Sequence, residues 1–154
     1  MAGDLCAQDF IGWTEQQARL LRDAAGRATR LPLDWENLAE EVTDWGLNHY
    51  HAVASQVRRV IIQLLKLEFS AAQSPRRGWR NSVRGARTEL TSLLRRDPGL
   101  KPRLTDLLAE EAEPSASEAA ADLADCGEDD AAAAVRRNGG RYTEAQVLGD
   151  WFPG

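Results

Sequence analysis

The residue types best suited to chemistry stand close together on one predicted helix: Glu40, Asp44 and His51. At positions i, i+4 and i+11 they lie within about 40° of one another around a helix. Carboxylate and imidazole groups together suit a divalent metal or an acid/base pair. Eleven residues span roughly 16 Å along the helix axis, so at most Glu40 and Asp44 share one ion, with a ligand from another helix. The competing interpretations are ion pairing with Arg80 or Arg84 and simple exposure.

Basic residues concentrate in residues 75–103, where nine stand against two acidic residues, a net charge of nine minus two, or +7. Within this segment Arg80, Arg84 and Arg87 fall on one helical face and are the candidates for nucleic-acid or anion contact. Residues 104–135 contain ten acidic residues and no basic one, and these would repel phosphate. We therefore favour pairing of the basic helix with acidic helices of its own fold or of a dimer mate, and we do not expect a nucleic-acid partner.

The other residue types that often act in catalysis or ligand binding form no recognisable motif in this sequence. Neither histidine has a serine or cysteine partner in a recognisable turn, and no glycine-rich loop is present to hold phosphate. His49 lies on an apolar stripe, so we expect it to be buried and hydrogen-bonded. The tryptophans each lie on an apolar face, where core packing is expected: 13, 35, 45, 79 and 151. The sequence favours a protein that is not an enzyme and predicts no cofactor.

The predicted helix that positions the carboxylates is unusually long. Apolar residues recur at spacings of three and four from Trp35 to Leu67 without a change of phase, which predicts one helix over about 35–72. Asp34 is a good N-cap, and Gly46 costs roughly 1 kcal/mol against alanine. A helix of this length extends about 57 Å, whereas a domain of this size has a radius of gyration near 15 Å. We expect one end to project and its apolar stripe to attract a partner.

Shorter helices are predicted around it, over 9–26, 75–96, 100–114, 115–126, 128–137 and 143–151. Pro114 is expected to stop or kink its helix, and Ser115 with Glu118 forms a capping-box pattern for the next one. The apolar C-terminal tail is expected to dock on the body. The predicted fold is an all-α bundle around one long central helix, with shorter antiparallel helices, forming a single domain over 1–154.

The bulk composition is that of an ordinary globular protein, with 43% hydrophobic and 28% charged residues and a net charge of −5. The two cysteines, Cys6 and Cys126, have no zinc-site or thioredoxin-like spacing and are expected to be free thiols. The N-terminus lacks the pattern of a signal peptide. The sequence contains no run of 18 apolar residues, which is the length expected of a membrane-spanning helix. We expect a cytoplasmic protein.

Several motifs resemble a bacterial family known as "domain of unknown function 29". They occur in the family's order across nearly the whole chain: Asp9-Phe10-x-x-Trp13, Leu20-Leu21, Leu33 to Val42 with Gly46, Leu64-Leu65-Lys66-Leu67, Trp79-x-x-Ser82-Val83, Pro98 to Pro102, Tyr142-Thr143-x-x-Gln146-Val147-Leu148 and Phe152-Pro153. The chain departs from the family between Glu113 and Arg141, where it is alanine-rich and acidic. The resemblance implies an all-helical fold and a bacterial source, and it implies no activity and no catalytic residues.

Three functional hypotheses follow, in order of preference. The first is a non-enzymatic helical protein that binds a second copy of itself or another protein. The second is a metal-dependent enzyme that uses Glu40, Asp44 and His51. The third is a nucleic-acid-binding protein that uses Arg80, Arg84 and Arg87.

Overall fold

The computed structural model of the chain describes residues 2–27 and 30–154. These residues form seven α-helices and one 3₁₀ helix, and no strand occurs among them. The α-helices are α1 (Ala2–Gln8), α2 (Phe10–Gly26), α3 (Trp35–Phe69), α4 (Arg76–Arg96), α5 (Leu104–Asp125), α6 (Asp129–Asn138) and α7 (Glu144–Leu148). The 3₁₀ helix covers Pro98–Arg103. The predicted all-α fold class is confirmed.

The long helix is confirmed as one continuous element of 35 residues, α3. It ends three residues earlier than predicted, because the chain leaves the helix at Ser70 and Glu128 then binds the residues that follow. The Glu128 carboxylate accepts hydrogen bonds from the Ser70 hydroxyl at 2.8 Å and from the Ala71 amide at 3.0 Å. The second of these bonds satisfies the Ala71 backbone amide, which lies beyond the end of α3 and has no helical partner.

Three local predictions differ from the structure. Helix α1 was not predicted, and the start of the predicted 100–114 helix is the 3₁₀ segment. The helix end predicted at Pro114 is wrong, because α5 runs through that residue to Asp125, and a kink there stays a prediction. Ser115 is therefore fully buried inside a helix and does not act as an N-cap. Burial of Ala116, Ala119 and Leu123, on a helix that packs against α6, compensates for the backbone bond that proline removes.

The chain divides into two compact units. The N-terminal unit comprises Met1–Ala52 and Leu94–Pro102, and the C-terminal unit comprises Val53–Leu93 and Arg103–Gly154. The division falls within α3, so residues 35–52 of that helix belong to the first unit and its remainder to the second. The expectation of a single domain remains a prediction.

The C-terminal unit contains the dense aliphatic core of the described chain. Every one of the largest fully buried side chains belongs to it: Val53, Val57, Val60, Ile61, Leu64, Leu65, Leu67, Val83, Leu90, Leu104, Leu107 and Val135. The second half of the predicted apolar stripe of α3 is thereby confirmed as core. Burying one such leucine contributes roughly 1.5–3 kcal/mol.

Docking of the C-terminal tail is also confirmed. Thr143 and Gln146 form a capping box that begins α7, the last predicted helix. The Arg87 guanidinium of α4 donates hydrogen bonds to the carbonyls of Gln146 and Val147 in α7 and of Trp151 beyond it, at 2.6–2.9 Å. These bonds attach the tail to α4 inside the C-terminal unit.

Candidate interaction surface

In the N-terminal unit, α3 buries a single narrow row of small residues. Ala39 and Gly46, seven positions apart, lie within about 20° of each other on the helix, and both are buried. A Cβ atom added at Gly46 would overlap Oγ1 of Thr14 in α2 and lie 3.2 Å from the Thr14 Cβ. Thr14 cannot easily withdraw, because it is 1% exposed and its hydroxyl donates to the Ile11 carbonyl at 2.7 Å. Gly46 therefore permits α2 to approach α3 closely.

The larger apolar residues of this half-helix face another way. We define the apolar row as Trp35, Leu38, Val42, Trp45, His49 and Ala52. No member of the row is buried, and Leu38 and Trp45 are 40% and 55% exposed. Leu38 lies about 100° around the helix from Ala39, beside the buried row. Trp35 and Val42 lie closer to that row and are half-buried. The expectation that Trp45, on this part of the stripe, packs in the core is wrong.

Exposed apolar side chains concentrate in the N-terminal unit. Six of the seven large hydrophobic residues that are exposed in the described chain belong to it: Leu20, Leu31, Leu33, Leu38, Trp45 and Leu47. The seventh is Trp151 of the C-terminal unit. Single exposed hydrophobic residues are normal on soluble proteins, whereas a contiguous exposed apolar patch is typical of an interaction surface. Of these six residues, Leu38 and Trp45 share one face of α3, two turns apart.

His49, on the apolar row, contacts Phe10 and lies near Asp97, and the rest of its side chain is open to solvent. Its ring stacks on Phe10 with 4.3 Å between ring centroids, and its Nδ1 lies 3.8 Å from Oδ2 of Asp97. The Asp97 carboxylate is 2% exposed and accepts a hydrogen bond from the Phe10 amide through Oδ1 at 3.1 Å. The His49 side chain is 47% exposed, so the prediction that it is buried is wrong.

Glu40, Asp44 and His51 share one face of α3, as predicted, and all three are exposed. That face lies roughly opposite the buried row of Ala39 and Gly46. No group of three or more His, Cys, Asp or Glu residues suited to a metal ion occurs among the described residues. Metal binding by these three residues remains a prediction.

Arg80, Arg84 and Arg87 do lie together, with their guanidinium carbons 5.2, 5.6 and 4.8 Å from the centre of the Phe152 ring. Arg87 is 8% exposed, and burial lowers its pKa from the ordinary value, with the charge of Asp150 opposing that shift. Three of its donor bonds go to tail carbonyls. The structure thus assigns Arg87 an anchoring role, and anion contact by this face remains a prediction.

None of the five tryptophans is buried, contrary to the expectation of core packing. Their apolar spacing identifies a helical face, but it does not say which of two adjacent faces a neighbouring helix covers. The small residues Ala39 and Gly46, seven apart, were a usable signal for the covered face, since small side chains permit close helix approach. Both cysteines are free thiols, as predicted.

A family model described as Domain of unknown function DUF29 matches residues 5–135. The chain belongs to this family. The match includes the apolar row and ends before the tail that Arg87 anchors. Comparison with curated proteins and with solved structures finds no match. Within the described part of the chain, no helix combines the length and the apolar character required to cross a membrane.

Proposed function

We propose that this DUF29 protein is a non-enzymatic helical interaction protein that forms a homodimer through the apolar row of α3. The observation that supports the proposal is the exposure of Leu38 and Trp45 in the middle of a regular apolar pattern. These two side chains are about half exposed, so a partner surface that covers them would recover roughly 1 kcal/mol for each side chain in each of the two copies. We place the dimer in the cytoplasm, in keeping with free thiols at Cys6 and Cys126.

The spacing of the apolar row suits pairing with another helix. Its members alternate steps of three and four residues, so Trp35, Val42 and His49 occupy one heptad position and Leu38, Trp45 and Ala52 the other. This is the pattern of a helical seam that packs against a partner at a shallow angle. The apolar row is thus suited to a helix partner more than to a flat surface.

A second copy of the chain is the partner that this row fits best. A two-fold dimer places the same patch on both sides of the interface, so one apolar row suffices. Polar His49 stands at a single position of the otherwise apolar row, and one polar residue in a seam typically fixes register and the number of helices. A seam with this composition favours one defined pairing over indiscriminate association.

The proposal is tested by measuring the mass of the full-length chain by sedimentation equilibrium over a range of concentrations. The wild type is expected at twice the mass of one chain. The double variant Leu38→Gln/Trp45→Gln is expected to raise the dimer dissociation constant about 100-fold or more, since about 3 kcal/mol of apolar burial is lost.

Leu47 supplies the matched control, because it is 47% exposed on the same half-helix and nine residues, or about 180°, away from Leu38. Leu47→Gln is expected to leave the mass of the dimer unchanged. A wild-type chain that remains monomeric at high concentration, or a dimer that Leu47→Gln weakens as much as the double variant does, contradicts the proposal.

A further inference from the structure

The C-terminal unit contains a cavity of about 800 Å³ that the proposed dimer does not involve. Its lining comes from the last turns of α3 and α5, from the first turn of α4, and from the segments that connect α3 to α4 and α5 to α6. The size lies in the range of small-molecule sites. Pro75 and Trp79 contribute an apolar wall, and the Trp79 ring is only partly covered by protein.

Four charged side chains line the same cavity: Lys66, Asp122, Asp125 and Glu128. Lys66 forms an ion pair with Asp122, and its side chain is only 12% exposed, so these two charges cancel. Asp125 and Glu128 then leave a formal charge of −2. No basic side chain other than Lys66 is among the cavity's lining residues.

Glu128 is fixed in position without being neutralised. Its carboxylate accepts hydrogen bonds from the Ser70 hydroxyl at 2.8 and 2.9 Å and from the Ala71 amide at 3.0 Å. All of these donors are uncharged, so they orient the carboxylate and leave its negative charge available to a ligand. Preorganised charges of this kind bind an oppositely charged group with little further ordering.

Helix ends beside the cavity oppose one another. Helices α3 and α5 end there, at Phe69 and Asp125, and helix C-termini favour cations, whereas α4 and α6 begin there, and helix N-termini favour anions. The formal charges of Asp125 and Glu128 therefore decide the sign. Apolar walls with an uncompensated negative charge complement a ligand that is apolar along its body and cationic at one end.

We propose that this cavity binds a small organic cation, an amine with an apolar body, whose ammonium group pairs with Asp125 and Glu128 while its body packs on Trp79. Hydrogen bonds between ammonium and carboxylate are stronger than those between neutral groups. The Trp79 ring adds apolar contact area for the body of the ligand. A neutral ligand of the same shape would gain only the apolar part.

Three probes of one shape separate charge from apolarity: 4-phenylbutylamine, 4-phenylbutanol and 4-phenylbutyrate, each titrated into the full chain by calorimetry at neutral pH. The amine is expected to bind about tenfold or more tightly than the alcohol, and the acid is expected to bind most weakly. Equal affinities, tighter binding of the acid, or no binding of the amine overturns the proposal.

Variants then locate the site. Asp125→Asn is expected to weaken the amine about five- to tenfold and to leave the alcohol unchanged, whereas Trp79→Leu is expected to weaken both. Glu113→Gln is the charge-matched control, since Glu113 is exposed on α5 outside the cavity lining. It is expected to leave all three affinities unchanged. Equal effects of Asp125→Asn and Glu113→Gln would reduce the preference to net charge and overturn the site.

Cys126 provides an independent readout, because its exposed thiol lines the cavity. Bound amine is expected to slow its reaction with a thiol reagent several-fold, while Cys6 in the N-terminal unit reacts at an unchanged rate. Binding of the amine without protection of Cys126 would place the ligand elsewhere and contradict the proposal. Neither result bears on the mass of the proposed dimer, so the two proposals fail separately.

Discussion

The two units of the chain use their apolar residues in opposite ways. In the C-terminal unit, leucine, isoleucine and valine side chains are fully buried, and the α4 arginine Arg87 attaches the tail. In the N-terminal unit, the buried residues of α2 and α3 are mostly small, such as Ala18, Ala39 and Gly46, while leucines and Trp45 lie in solvent. One continuous helix, α3, therefore serves as core in its second half and as surface in its first.

Apolar spacing in a sequence therefore identifies one face of a helix, but it does not identify the element that covers this face. Core packing of the second half adds stability directly to the folded chain. Exposed residues of the first half add stability only when a partner is present. The contrast makes quantitative predictions for substitutions in each unit.

The largest expected effect comes from truncating the core. Leu64→Ala is expected to lower the free energy of unfolding by about 2–5 kcal/mol, since Leu64 is 0% exposed and a cavity remains. The same truncation in the N-terminal unit, Leu20→Ala at 54% exposure, is expected to change it by less than about 0.5 kcal/mol. Urea denaturation measures both values. Equal losses for the two variants would contradict the contrast between the units.

Removal of the tail anchor is expected to rank next. Arg87→Met leaves the carbonyls of Gln146, Val147 and Trp151 without their donors and is expected to cost about 3 kcal/mol. Arg80→Met removes only a contact with the Phe152 ring and is expected to cost about 1 kcal/mol or less. Chemical denaturation, with limited proteolysis of the tail as a second readout, distinguishes them. Similar costs would remove the assignment of Arg87 as the anchor.

Glycine-to-alanine substitutions within helices are expected to have smaller effects on the free energy of unfolding, and these effects have opposite signs in the two units. Gly46→Ala forces its new methyl group against Thr14 and is expected to destabilise by about 1 kcal/mol. Gly85→Ala on α4 meets no atom within 4 Å and is expected to stabilise by about 0.5–1 kcal/mol through helix propensity. Thermal denaturation of the pair tests this, and stabilisation by both substitutions would show that Thr14 yields.

The sequence predicted helices well where local chemistry decides them. Asp9 accepts from the Gly12 amide as the N-cap of α2, and Thr143 with Gln146 forms the capping box of α7. The Asp9 and Thr143 side chains each accept a hydrogen bond from a backbone amide three residues later, so the sequence alone is sufficient to predict these contacts. The unbroken phase from Trp35 to Leu67 likewise identified α3 correctly.

Tertiary packing decided the features that the sequence did not predict. Pro114 breaks a helix in isolation, yet burial around Ala116 and Leu123 carries α5 through it. Exposure of Trp45 depends on which face α2 covers, and that choice rests on the contact between Thr14 and Gly46. The cavity beside Trp79 is lined by residues up to 62 positions apart in the sequence, such as Lys66 and Glu128. No local sequence pattern predicts a cavity formed by such distant residues.

The most direct test of the proposed seam is an isotope-filtered NMR experiment on dimers that contain one labelled and one unlabelled copy. Nuclear Overhauser effects between copies are expected at the methyl groups of Leu38 and Val42 and at the Trp45 indole. Leu47, on the other side of α3, is expected to show none. Contacts between copies confined to Leu47 or to the C-terminal unit, or no contacts at all at concentrations where two copies associate, would contradict the account.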